Sequence, residues 1–190
     1  MADYALLVID VQQAFRERDL TGANRSCREA EQNISRLLTV FRATGAPIIH
    51  IHHHSLEEGS AFGADRSGRA VQPFAAPQGD EVVITKHVNS AFIGTDLEDR
   101  LNDLSRPKVV ICGATANHCV ETTTRMAGNL GFDAFYIGDA VWAYDHSSVS
   151  GALISAEQIH AVSMANLHGE FATVLSCDLI CARIAGAGAA

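Results

Sequence analysis

The 190-residue sequence predicts an α/β fold, a three-layer α/β/α sandwich on a six-stranded parallel sheet. Three observations carry that expectation. Six short apolar runs of strand length are separated mostly by segments of helical spacing. The strongest runs, Ala5-Leu6-Leu7-Val8-Ile9 and Val109-Val110-Ile111-Cys112, are continuous rather than alternating, as in strands covered on both faces. Right-handed crossovers between parallel strands then place helices on both sides of the sheet.

Taken in order, residues 4–9 form the first strand. Residues 24–44 carry Ile34, Leu37, Leu38, Val40 and Phe41 at helical spacing, and Gly45 is the stop. Residues 47–51 are the second strand. The stretch 53–78 is rich in Gly, Ser and Pro and too long for an ordinary connection, so a functional loop is expected there. Residues 81–85 make the third strand and 94–104 a short helix. Residues 108–112 are the fourth strand, followed by a helix from Cys119 to Leu130, with Gly131 as its stop. Residues 132–137 are the fifth strand, 147–167 one long helix and 171–175 the sixth strand. One domain over 1–184 is expected, with the Gly/Ala tail 185–190 disordered.

Composition bounds the function. The sequence is 47% hydrophobic and 19% charged, that of an ordinary globule with a sizeable core. Its net charge of −8, from 22 acidic and 14 basic residues, argues against a nucleic-acid partner. Five cysteines without framework spacing suggest free thiols in a reducing compartment. The apolar run near the N-terminus is only five residues long, so neither a signal peptide nor a membrane span is expected, and a cytoplasmic location follows.

Three residues stand where ordinary core side chains would not. Asp10 ends the first strand and Lys86 ends Val82-Val83-Ile84-Thr85; a charge at the end of a buried strand is costly unless paired or functional. Cys119 follows the fourth strand, after a break at Gly113, at the start of a helical pattern. A helix N-terminus favours the thiolate, so a lowered Cys119 pKa is expected. Open α/β sheets also place their ligands at such carboxyl ends. Each residue has a plainer explanation: a helix cap for Asp10, a solvated tip for Lys86, a small core residue for Cys119.

Together these residues resemble the cysteine hydrolases of the isochorismatase-like superfamily, whose triad is Asp, Lys and Cys. The matching text is Val8-Ile9-Asp10-Val11-Gln12-Gln13-Ala14-Phe15, then Gly79 to Lys86 with Asn89-Ser90-Ala91-Phe92-Ile93-Gly94-Thr95-Asp96-Leu97, then Gly113-Ala114-Thr115 with Cys119-Val120. The resemblance runs from about Tyr4 to Val174. It implies Asp10, Lys86 and Cys119 as catalytic residues and a cis peptide at Ala114-Thr115. Through that bond the Thr115 N–H, with that of Cys119, faces a developing oxyanion. Thr115, Ala114, Phe15, Gln12, Phe92, Trp142 and His118 are the expected oxyanion and substrate-binding residues. Among them Phe15, Phe92 and Trp142 would form an apolar wall around a small-molecule substrate.

The implied chemistry is hydrolysis of an amide, ureido or carbamoyl C–N bond through a thioester, with no cofactor. Isochorismatases proper cleave a vinyl ether and do not require the Cys, so its presence favours C–N cleavage. The resemblance also implies a homodimer or homotetramer. Two alternatives stand beside this one. Nicotinamidases of the superfamily bind a metal after the second strand, where this sequence has His50-Ile51-His52-His53-His54; their Asp-x-His motif is absent. On an extended strand His50, His52 and His54 share a face, but no distant further ligand follows, so no metal is expected and one or two of these imidazoles line the pocket instead. The other alternative is a non-catalytic, redox-responsive thiol protein built on Cys119. A sensor needs no proton shuttle, and the presence of both Asp10 and Lys86 speaks against it.

Overall fold

In a computed structural model, which describes residues 3–105 and 107–187, one six-stranded sheet carries the chain. The strands are β1 (Tyr4–Ile9), β2 (Ile48–His53), β3 (Val82–Lys86), β4 (Lys108–Ala114), β5 (Ala134–Trp142) and β8 (Thr173–Leu175). Their order is β3-β2-β1-β4-β5-β8 and every pairing is parallel. The chain steps outward from β1 to β3, returns beside β1 as β4, and steps outward the other way. The order therefore reverses between β1 and β4, and a crevice opens at their carboxyl ends.

Successive side chains of β1 serve two cores. Leu6 and Val8 pack with Ile34, Leu37 and Phe41 of α2 (Ala30–Thr44) and Ile180 of α6 (Cys177–Ala187). Ala5, Leu7 and Ile9 pack on the other face with Leu97 and Leu101 of α3 (Leu97–Asp103), Ala127 of α4 (Glu121–Asn129) and Leu167 of α5 (Ala156–Leu167). This is the expected three-layer sandwich. Helix α2 ends at Gly45, whose φ of 67° is left-handed, as the sequence signal indicated. Among the described residues no helix is long and apolar enough to cross a membrane.

The structure differs from the sequence-based expectation in several places; β5 runs on to Trp142, past the expected end at 137, and α2 starts at Ala30 rather than at 24. A helix α1 (Gln13–Leu20) precedes α2; it buries only Ala14, so its apolar periodicity is weak. The single helix expected over 147–167 divides into an antiparallel ribbon, β6 (His146–Ser147) and β7 (Leu153–Ile154), and then α5. A capping box starts α5: Ser155 accepts from Gln158 N, and the Gln158 side chain accepts from Ser155 N. The disordered tail expected over 185–190 is helical as far as Ala187, at the end of α6; residues 188–190 lie outside the described residues. The domain boundary drawn at 184 therefore cuts a helix.

Candidate active site

Asp10, Lys86 and Cys119 meet at the reversal point. Asp10 follows β1 with a φ of 52°, a strained value for a side chain other than Gly, Asn or Asp, and it turns the carboxylate over the sheet end. Lys86 ends β3, two strands away. Its ammonium donates to Asp10 Oδ2 at 2.8 Å and to His53 Nδ1 at 3.2 Å. The Lys86 and Asp10 side chains are only 0% and 2% exposed, so each charge depends on the other for solvation. Asp10 Oδ1 is buried without a hydrogen-bond partner. The Asp10 carboxylate, the His53 ring and Cys119 Sγ lie within 4.8 Å of one another.

Gly113 sets how closely β1 and β4 approach. Its φ is 120°, and a Cβ there would lie 2.0 Å from the Ile9 carbonyl oxygen. After β4 the Ala114-Thr115 peptide is cis, and a five-residue π-helical turn (Ala116–Val120) leads into α4. Cys119 lies in that turn. Its thiol donates to Asn89 Oδ1 at 3.7 Å, a partner contributed by the loop after β3.

The electrostatics correct one expectation. Burial pushes the Cys119 thiol up to about 12, the Asp10 charge adds to that rise, and Lys86 opposes it. Desolvation and the neighbouring carboxylate favour a neutral thiol over the expected thiolate. Burial likewise raises the Asp10 carboxyl against the pull of Lys86. The His53 ring is held down to about 4, by burial first and by Lys86 second, and is neutral at pH 7. Lys86 thus bridges the Asp10 carboxyl group on one side and a neutral imidazole on the other.

These groups open into a cavity of about 220 Å³, lined by Asp10, Phe15, Arg18, His53, Phe62, Asn89, Thr115, His118, Cys119, Tyr144 and His146. Of the expected binding residues, Phe15, Thr115 and His118 are on this wall, and Thr115 Oγ1 lies 3.0 Å from His118 Nδ1. The others are displaced. Trp142 is fully buried behind Phe15, edge-on at 5.9 Å. Phe92 stacks on Phe132 at 5.9 Å and belongs to the core beside α3 and α4. Ala114 is buried at the end of β4. Gln12 is a brace: its amide donates to His53 O and Arg69 O and accepts from His53 N, tying β2 to the long loop. Each of the four takes the place that packing or backbone hydrogen bonding gives it, and none lines the cavity.

Sequence reasoning did not single out Arg18, Phe62, Tyr144 and His146 for the site. Phe62 comes from the loop 53–78, whose length was the available signal; Arg18 rides on α1, which the apolar pattern hides.

The histidine run divides between two environments. His53 reaches the site. His50 and His52 share a face of β2, with ring centroids 6.4 Å apart, but His50 Nε2 donates to Glu81 at 2.8 Å, outside the cavity lining. Beyond the strand, His54 Nδ1 accepts from the Arg69 guanidinium at 2.6 Å. These imidazoles do not converge on one point. Where Asp10, His53 and Cys119 do converge, the Lys86 ammonium already contacts two of the three, so a metal ion would have to displace it.

The chain is similar to several known proteins over most of its length. It is 44% identical over 176 residues to the isochorismatase family protein YrdC of Bacillus subtilis, covering 92% of each chain. An isochorismatase-family structure from Chromobacterium violaceum superposes with a TM-score of 0.92 at 38% identity, over 98% of this chain and 95% of that one. A cysteine hydrolase from Pseudomonas syringae pv. phaseolicola gives 0.89 at 26% identity, over 98% and 94%. The isochorismatase domain model matches residues 4–177, which span β1 to the start of α6 and contain every group at the crevice, and the chain belongs to the isochorismatase family of hydrolases.

Proposed function

We propose that this protein is a cysteine-dependent amidohydrolase that cleaves the C–N bond of a small amide, urea or carbamoyl compound through a thioester. The observation that carries this reading is the buried Lys86–Asp10 ion pair with Cys119 Sγ beside it. A thiol with a pKa near 12 does not attack unaided at neutral pH, so it needs a base in reach. Asp10 Oδ1, buried and without a partner, is free to take the proton as sulfur adds to the carbonyl carbon. Lys86, hydrogen-bonded to Asp10, favours the carboxylate before the transfer and the sulfur anion as it forms. The negative oxygen of the tetrahedral intermediate would be met by the Thr115 and Cys119 N–H groups. Asp10 then returns its proton to the departing nitrogen, which leaves as ammonia or an amine. Water, deprotonated by the same carboxylate, cleaves the thioester and restores the thiol.

The test is ammonia release from a panel of small carboxamides, ureas and carbamoyl compounds. With a substrate that turns over, Cys119→Ala should abolish release and Cys119→Ser should leave very little, both folding as wild type by circular dichroism. If Cys119→Ala keeps most of the activity, the nucleophile is assigned wrongly. A redox-responsive thiol protein would turn over nothing on the panel yet show reversible oxidation of Cys119.

A further inference from the structure

The wall of the cavity away from the ion pair carries a second charge. Arg18, on α1, is held with its guanidinium 4.0 Å above the centre of the Tyr144 ring. Tyr144 is itself immobilised: its hydroxyl donates to Asp19 Oδ1 at 2.7 Å and to Phe15 O at 3.2 Å, and its ring stacks on Phe15. Asp19, the acid next to Arg18 in sequence, is committed to Arg25 at 2.7 Å. Among the described residues Arg18 has no carboxylate partner within ion-pair distance. Among the described residues Asp10 is the one acid lining the cavity, and it is ion-paired with Lys86. His118 and His146, their rings 5.3 Å apart, complete that wall with N–H donors and no negative charge. The cavity is thus an apolar slot of Phe15, Phe62 and Tyr144 with a nucleophile at one place and an unpaired planar cation at another.

We infer that Arg18 is a carboxylate-binding residue, and that the substrate is a small amide or carbamoyl compound that also bears a carboxylate. A guanidinium matches a carboxylate through two parallel N–H···O bonds, which fixes orientation as well as position. Tyr144 holds the guanidinium against the cavity wall, which reduces the ordering cost of binding. The volume, below the roughly 300–1,000 Å³ of drug-sized pockets, suits a substrate with only a few atoms between its two functional groups. The inference rests on Cys119 being the group that meets the substrate, but its test does not require turnover.

Iodoacetate and iodoacetamide alkylate the same thiol and differ in having a carboxylate or an amide, so the ratio of their rates at Cys119 reads the subsite directly. In Arg18→Gln that ratio should fall about three- to fivefold from wild type, the worth of one partly exposed ion pair. Arg18→Lys, which keeps the charge and loses the fork, should hold an intermediate value. Raising salt should lower the wild-type ratio and leave the Arg18→Gln ratio flat. In the same variants kcat/KM for succinamate relative to butanamide should fall through KM. An unchanged iodoacetate preference in Arg18→Gln, with the fold intact by circular dichroism, overturns the inference. Loss of the hydrolase reading registers separately, as ammonia release that survives Cys119→Ala, and leaves the alkylation ratio interpretable.

Discussion

The Cys119 thiol lies between two charges that act on it in opposite directions, and alkylation kinetics can separate them. With burial holding the thiol near 12, the rate of iodoacetamide inactivation should climb across neutral pH without a plateau below about pH 9, since only the thiolate reacts. Asp10→Asn removes the repelling charge and should shift this profile to lower pH while destroying turnover, because the base is gone. Lys86→Met removes the favourable charge and should shift it higher. A profile for Asp10→Asn moved upward as far as that of Lys86→Met would mean that Asp10 acts on the thiol through structure alone. The same pair predicts a stability cycle. Lys86→Met strands a carboxylate that is almost wholly buried and should cost about 3–5 kcal/mol in denaturant unfolding. Adding Asp10→Asn should recover a large part of that loss, because a neutral amide needs no counter-charge. These residues were legible because charge at a strand end is anomalous. The state of the thiol was not, because desolvation depends on what the fold packs around it.

Elements are placed by contacts that sequence periodicity does not encode. The crevice needs β1 and β4 in close register, and Gly113 permits it. Gly113→Ala would force Cβ against Ile9 O and demand a left-sided φ from alanine, so a loss of about 3 kcal/mol or more is expected in chemical denaturation. Activity should fall further than the residual folded fraction explains, since the strands carrying Asp10 and Cys119 would separate. At the opposite end of the sheet, Arg42 of α2 grips Glu81 at 2.7 and 2.9 Å, just before β3, while His50 of β2 donates to the same carboxylate. Arg42 holds the Glu81 carboxyl down at about 2 against the opposing effect of burial. Because the folded value lies below the unfolded 4.5, this stabilisation is fully present above about pH 4.5 and lost as pH falls through 2. Glu81→Gln should therefore lower stability by about 1–3 kcal/mol at pH 7 and narrow the difference from wild type toward pH 2, in urea titrations at each pH. Helix α2 was readable from Ile34, Leu37, Leu38 and Phe41 because it buries a full stripe. Helix α1 and the β6–β7 ribbon were not. Neither buries enough apolar surface to mark a period, and both are held by the loop and strand ends they meet.

For the molecule as a whole, we propose a homodimer or homotetramer, to be checked by sedimentation velocity at micromolar concentration; a fully active monomer would remove that proposal. The six strands, their parallel pairing and the three layers followed from the sequence alone. Continuous apolar runs cannot be satisfied with a face in water, and the intervening helices leave parallel crossovers as the simple solution. Position at a strand end also singled out Asp10 and Lys86, since a buried charge there has to be answered by something, and the strand-to-helix turn singled out Cys119. What only the tertiary structure decided is which groups answer it. Gln12 and Trp142 look like pocket residues beside Asp10 and Phe15, yet hydrogen bonding and packing turn both away from the cavity. Arg18 and His146 look like solvated surface, yet their elements fold back over the site. Burial at a strand end is a local property written into apolar pattern. The company a side chain keeps is set by segments more than a hundred residues distant, as Tyr144 is from Phe15, and only the closed fold brings them into contact.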